Sequence, residues 1–267
     1  MKIAALYRYP VKSLGGQMCT ELLPEGRGFR DDRRWMFTEP NGLFISRRAT
    51  PSMAHFSAEV HGDELRFIRI ADGTVVGAVA GAREGRKSKA VTVWDDTFNA
   101  TWIDRPEVAA IAEVIGLPGA HLVYMGENDV RPVDPRFASP QETVSFADGF
   151  PYLVTTTASL DDLSARVGEG PLDIRRFRPN IVVANDVPFA EDDWTALTVG
   201  AHRFRLPKPC ARCIMVTQHP DTGARNLRVL SELAGFRKVD NKVMFGMNAC
   251  WTGGEGFLKV GDEVSVS

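Results

Sequence analysis

The sequence predicts a mainly β protein with a few helices, an α+β chain built as one barrel-like unit of short strands followed by another. Three observations lead there. Short apolar runs recur along the chain, separated by turn residues such as Asn41-Gly42 and Gly261-Asp262. Only a few stretches carry the spacing of an amphipathic helix. At 267 residues and 44% hydrophobic content the chain can bury one large core or two smaller ones.

The strands come in order. Ile3–Tyr7 opens the chain. Trp35–Thr38 and Leu43–Ile45 form a hairpin around Asn41-Gly42, because Asn and Gly accept positive φ. Ala58–Val60 with Leu65–Ile68, and Val91–Trp94 with Thr97–Ala100, repeat the pattern. Between them Gly81–Lys89 is a basic, solvated loop. The first helix covers Pro106–Ile115, with proline in its first turn and Gly116 past its end. We place a domain boundary near residue 120, giving units 1–120 and 121–267.

In the second unit Tyr152–Thr156 and Ile181–Ala184 are strands. Ser159 caps a helix to Val167, with Asp161 and Asp162 suited to its positive end. Asn226 caps another helix, which carries Leu227, Leu230 and Leu233 and ends at Gly235. Ile214–Thr217 is strand-like, and Phe257–Val260 with Val264–Val266 closes the chain as a strand pair.

Composition excludes several function classes. A formal net charge of −2 argues against a nucleic-acid binder that works through bulk electrostatics. No apolar run approaches the roughly 18–20 residues of a membrane span. The apolar stretch before Tyr7 and Arg8 is too short for a signal peptide, so the expected compartment is the cytoplasm and the four cysteines are expected as thiols.

Cys210-Ala211-Arg212-Cys213 is the densest chemical signal. A thioredoxin-like pair belongs at a strand-to-helix turn, which the strand-like Ile214–Thr217 does not supply. Zinc needs four ligands, and only His219 and Cys250 offer to complete the set. A buried thiol pair is the bland reading. A single exposed thiolate beside Lys208 and Arg212 is the sharper one, suited to nucleophile or soft-metal chemistry. Cys19 and Cys250 read as core or strand thiols, and Trp94, Trp102, Trp194 and Trp251 as core or pocket aromatics, core being the preferred reading for each.

Cations gather in three places: Lys12-Ser13 after the first strand, Arg33-Arg34 before Trp35, and Arg175-Arg176-Phe177-Arg178-Pro179-Asn180 before a buried strand. Alternation sends Arg178 and Asn180 to one face. Asp31 or Asp32 can pair with a neighbouring arginine, and surface salt bridging accounts for any one cluster alone. Together with a reactive cysteine, the clusters suggest a pocket for an anionic, phosphorylated, thiol-coordinated cofactor.

Tyr-Pro-Val-Lys-Ser at 9–13, Gly28 through Arg33 to Trp35, Phe-Arg-Pro-Asn at 177–180, Cys-x-Arg-Cys at 210–213, Asp221-Thr222-Gly223 and Val260-Gly261-Asp262-Glu263-Val264 stand in one order. That series resembles the MOSC domain proteins with their N-terminal β-barrel, and among them the bacterial and mitochondrial amidoxime-reducing proteins. The resemblance implies a molybdenum cofactor of molybdopterin type. It makes Cys213 the thiolate ligand of the metal. Lys12, Ser13 and Arg33 would hold phosphate and pterin, and Arg178, Asn180 and Arg212 the rest. Asp148-Gly149-Phe150 matches a pocket loop, with Asp148 an acid near the metal and Gly149 and Phe150 reduced to backbone contacts. Ala211 stands where relatives often have serine. Cys210 is taken as supporting or structural.

The implied activity is reduction of N-hydroxylated compounds: amidoximes, hydroxylamines and N-hydroxylated bases. The plant-type cysteine spacing of a fused [2Fe–2S] domain is missing, so no iron–sulfur cluster is expected in this chain. Electrons are expected from a separate flavin- or [2Fe–2S]-containing reductase. Two other functions stay open: a carrier of the cofactor or of a persulfide on Cys213, without turnover of its own, and a cofactor-free thiol–disulfide protein that needs both Cys210 and Cys213.

Overall fold

The computed structural model describes residues 1–85, 87–139 and 141–267. Its largest sheet is built mostly from the second half of the chain. The order is Gln17–Cys19, Lys2–Arg8, Ile181–Ala184, Tyr152–Thr156, Lys242–Gly253, His202–Arg212, Ala196–Val199 and Val264–Val266. All neighbours are antiparallel except Tyr152–Thr156 with Ile181–Ala184, which run parallel. A parallel pair needs a crossover, and the helix Thr157–Val167 provides it. The two ends of the path approach each other: Lys2 bridges Glu263, and Val264 N–H donates to the Met1 carbonyl at 2.9 Å. The sheet thereby curls into a barrel around Leu6, Tyr152, Ile181, Phe204 and Met247.

The first half forms two smaller sheets. One is ordered Lys87–Val93, Asp96–Trp102, His121–Tyr124, Trp35–Thr38, and the other Phe56–His61, Glu64–Arg69, Val75–Val79. They enclose a second core around Trp35, Phe37, Phe67, Ile111 and Leu122. The helix Pro106–Ile115 lies as expected, stopped by Gly116 at φ 87°. It packs so closely on Val75–Val79 that a Cβ at Gly77 would stand 2.3 Å from Ile111. Mainly β with three α-helices among the described residues, the chain has the expected class. Among the described residues no helix is long and apolar enough to cross a membrane.

Several local expectations are corrected. The Asn41-Gly42 turn forms, with Glu39 N–H to the Leu43 carbonyl at 2.8 Å, but the return limb makes only isolated bridges because Trp35–Thr38 pairs with His121–Tyr124 instead. Lys87–Lys89 belong to a strand rather than a loop, and Arg86 lies outside the described residues. The second helix is capped one turn earlier, by Thr156, whose hydroxyl accepts from Ser159 N–H; Asp161 and Asp162 therefore fall beyond its first turn. The third helix, Arg228–Arg237, passes through Gly235, buries Val229 and Leu233, and leaves Leu227 exposed. Asn226 still accepts from Arg228 N–H at 3.0 Å. Ile214–Thr217 is a 3-10 turn, because the chain leaves the sheet after Arg212 and Thr217 Oγ1 closes back on the Ile214 carbonyl. The two last strands do not pair with each other: Leu258–Lys259 joins Glu21–Leu22, and Val264–Val266 joins Ala196–Val199.

Candidate functional site

Both halves of the chain line a cavity of about 670 Å³. Lys12, Ser13, Arg33, Asp148, Gly149, Phe150, Arg178, Asn180, Ala211, Arg212 and Cys213 all face it, as does Cys210. Lys12 and Ser13 follow the strand Lys2–Arg8, and Arg178 and Asn180 precede its antiparallel neighbour Ile181–Ala184, so these four meet at one end of that pair. Arg212, the last residue of His202–Arg212, is tied to them by its hydrogen bond to the Phe177 carbonyl at 2.7 Å.

A buried network fixes this end. Asp32, with no exposed surface, accepts from Tyr9 N–H at 2.8 Å, from Asn180 Nδ2 at 3.1 Å and from the Arg33 guanidinium. Arg33 also donates to Asn180 Oδ1 at 2.9 Å and to the Arg178 carbonyl at 3.1 Å. Asn180 thus satisfies an anion with one end of its amide and a cation with the other. The Tyr9 ring lies between the Arg33 and Arg178 guanidiniums, 4.3 and 4.2 Å from its centre.

Backbone strain concentrates here as well. Ser13, Arg33, Trp94 and Arg178 have φ of 73°, 50°, 56° and 54°, left-handed values that cost a non-glycine residue on the order of 1–3 kcal/mol each. Arg178 therefore does not reach the cavity by strand alternation, as expected from sequence; its left-handed turn puts it there.

Lys12 is buried and donates to the Phe146 carbonyl at 2.7 Å and to Asp148 Oδ1 at 2.6 Å. Burial lowers its ammonium, and Asp148 offsets part of that effect. For Asp148, burial pushes the carboxyl up, but the Lys12 ammonium and the Trp94 N–H (3.2 Å) outweigh it and hold the group well below the usual carboxylate range. The side chain is 74% exposed toward the cavity, so the ion pair, not desolvation, decides its state. Held in this way, Asp148 presents its carboxylate to the cavity as a hydrogen-bond acceptor. Arg131 locks its loop by donating to the carbonyls of Ser145, Ala147 and Asp148.

Among the described residues, eleven Lys and Arg side chains line the cavity against four aspartates. Burial, reinforced by the Arg33 charge, pushes Arg178 down to about 9. Burial brings Arg47 down to about 10. Arg176 Nε and Arg212 Nε are buried without a hydrogen-bond partner. Such a wall is arranged for anions.

The four cysteines are free thiols, and Cys213 is exposed to the cavity. Its cationic neighbour is Arg48, 3.4 Å from Sγ, and not the pair expected from sequence. Arg212 donates instead to Cys210 Sγ at 3.0 Å, while Lys208 sits over the Phe137 and Phe150 rings. No three metal-ligating His, Cys, Asp or Glu converge among the described residues, so the zinc set of Cys210, Cys213, His219 and Cys250 is not assembled. Trp94 is a wall of the cavity and not core: its ring is 41% exposed, edge-on to Phe44 and under the Arg48 guanidinium at 4.9 Å. Sequence reasoning missed Phe44, Arg47, Arg48 and Arg131. Arg47-Arg48 after an apolar run is the same kind of signal as Arg33-Arg34, whereas Arg131 works on backbone carbonyls and has no local pattern.

Residues 1–113 match the MOSC N-terminal beta barrel domain and residues 141–265 the MOSC domain. Mitochondrial amidoxime-reducing component 1 of Homo sapiens is 28% identical, over 98% of this chain and 82% of its own length. Its Mus musculus counterpart is 25% identical over 89% of this chain and 72% of its own. Molybdenum cofactor sulfurase of Oryza sativa subsp. japonica is 26% identical over 90% of this chain, which spans 31% of the sulfurase. The YUAD protein from Bacillus subtilis overlays 98% of this chain and 93% of its own at a TM-score of 0.41 and 8% identity, too loose to bear on the site.

Proposed function

The chain belongs to the MOSC domain family, with the MOSC N-terminal β-barrel ahead of that domain, and from this premise we propose that it binds a molybdenum cofactor and reduces N-hydroxylated compounds. The observation that carries the reading is the cavity itself: an excess of cations, buried guanidinium donors without partners, and an exposed thiol opening into the same space. These features fit an anionic, phosphorylated, thiolate-bound cofactor. Lys12, Ser13 and Arg33 hold its phosphate and pterin, Arg178, Asn180 and Arg212 the remainder, and Gly149, Phe150 and Ala211 contribute backbone contacts. Cys213 supplies the thiolate to molybdenum. When bound, the cofactor provides a metal able to pass two electrons to an N–O bond.

The overall reaction breaks that N–O bond, consumes two electrons and two protons, and releases water. The chain's own residues orient and enclose the substrate. Asp148, ionised and fixed by Lys12 and Trp94, accepts the hydrogen bond of the N–OH group. Phe44, Trp94 and Phe150 wall the cavity and exclude water around it. Electrons come from a separate donor protein of the flavin or [2Fe–2S] class, and the substrate is a small molecule.

A carrier without turnover is the second reading, supported by the open exposure of Cys213 and by the sulfurases among the relatives. Loaded protein, a chemical electron donor and a model amidoxime separate the two. Catalytic conversion of amidoxime to amidine is expected; no turnover, with a labile added sulfur on Cys213, would favour the carrier.

A further inference from the structure

One cation of the cavity, Lys208, has no role in the cofactor site proposed above. Lys208, Cys210 and Arg212 alternate along the strand His202–Arg212, and all three line the cavity. At about 3.3 Å per residue, Lys208 stands up to roughly 13 Å back along the strand from Arg212. Cys213 follows Arg212, so the thiol and the Lys208 ammonium mark opposite ends of this stretch of wall.

The surroundings of Lys208 are aromatic. Its ammonium lies 4.3 Å from the centre of the Phe137 ring and 5.9 Å from that of Phe150, and Phe150 is itself a wall of the cavity. Four aspartates line the same space, yet Lys208 takes part in no ion pair among the described residues. Three of the four are engaged by other cations. Lys12 holds Asp148 at 2.6 Å, and Arg131 holds Asp96 at 2.8 Å. Asp134 feels the Lys208 charge, but Arg136 bonds both of its oxygens. The fourth, Asp95, is exposed at the hairpin tip after Trp94. An ammonium resting on ring faces keeps its N–H donors available to a ligand.

We propose that Lys208 sets substrate preference by binding a carboxylate at the end of the substrate remote from the N–OH group. A planar ring between the two groups packs on Phe150. The favoured substrate class is then an aromatic amidoxime that carries a carboxylate. This deepens the reductase reading and rests on it. The Asp148 carboxylate repels a second anion and accepts the N–OH group, which leaves one orientation: N–OH at Asp148, carboxylate at Lys208. The Phe137 and Phe150 rings shield the ammonium from water on one side and so strengthen the charge-assisted bond.

The test is calorimetric titration of full-length, cofactor-loaded protein with benzamidoxime and with para-carboxybenzamidoxime, no electron donor being present. Wild type is expected to bind the carboxylated compound about tenfold more tightly or better. In Lys208→Met the ratio is expected to fall to about one, whereas Lys208→Arg keeps the charge and a preference of about several-fold. Thermal melting checks that both variants are folded. With a chemical electron donor, the wild-type preference is expected in KM and not in kcat, because the contact lies away from the N–O bond. Equal binding of the two compounds by wild type, or a preference that survives Lys208→Met, would overturn the inference. Turnover of both compounds without preference would refute the role of Lys208 and leave the reductase reading standing. Preference without turnover would do the reverse.

Discussion

Arg178→Met inverts the usual expectation for a buried arginine. Burial and the Arg33 charge bring its pKa from 12.5 to about 9. At about 1.4 kcal/mol per pKa unit, holding the charge in the folded protein costs at most roughly 5 kcal/mol. The side chain is only half-buried, and solvent screening reduces this to about half. Removing the side chain forfeits the bond to the Leu14 carbonyl, about 1–2 kcal/mol, and the stacking on Tyr9, about 1 kcal/mol. The terms nearly cancel, so the cofactor-free variant is expected to be as stable as wild type or up to about 1 kcal/mol more stable. Breaking an ordinary buried ion pair costs about 3–5 kcal/mol. Both folded and unfolded states are protonated below pH 9, so the difference stays flat there; above it the folded wild type sheds the proton first, its penalty fades, and the gap closes. Urea denaturation of both cofactor-free proteins at pH 7 reads the difference. A loss of 3 kcal/mol or more would refute the claim that the cluster is held together against its own repulsion.

Asn180→Leu breaks charge-assisted bonds to Asp32 and Arg33 and is expected to cost about 3–5 kcal/mol in denaturant unfolding, far more than Arg178→Met. Gly42→Ala places a Cβ 2.3 Å from the Ala90 carbonyl at φ 90°, and a loss of about 2–4 kcal/mol is expected in the same assay. Glu191 is fully buried, and desolvation raises its carboxyl. Its folded form favours the proton, so its contribution is greatest in acid and is lost as pH rises; Glu191→Gln is expected to be more stable than wild type at pH 7, with the gap closing toward pH 4 in thermal melts.

Much of the cavity lining was legible because it comes from short polar motifs. Lys12-Ser13, Phe177–Asn180 and Cys210–Cys213 carry charged, polar or thiol side chains in close spacing, and the fold brings them to one cavity. Arg48 carried the same paired-arginine signal as Arg33-Arg34, but its partner Cys213 lies 165 positions away and no local pattern links the two. The charge at Cys213 was therefore assigned to sequence neighbours that turn elsewhere. Trp94 was mistaken for core since aromatic residues in alternating runs usually pack inward; a left-handed φ at the hairpin tip turns it to the cavity. Strand existence was clear from turn residues, but pairing was not. Phe257–Val260 and Val264–Val266 have a good hairpin sequence, yet each finds a better edge in a distant strand, Glu21–Leu22 or Ala196–Val199. Ile214–Thr217 shows the same limit in reverse, its β-branched residues yielding to the need to leave the sheet.

The proposed function requires that this cavity hold molybdenum through Cys213. Elemental analysis of protein made in a cofactor-competent host, beside Cys213→Ala, tests it most directly. Near-stoichiometric molybdenum in the wild type, lost or made labile in the variant while the fold is kept, is the expected result. Wild-type protein without molybdenum, or a variant that retains it as firmly as wild type, would contradict the account.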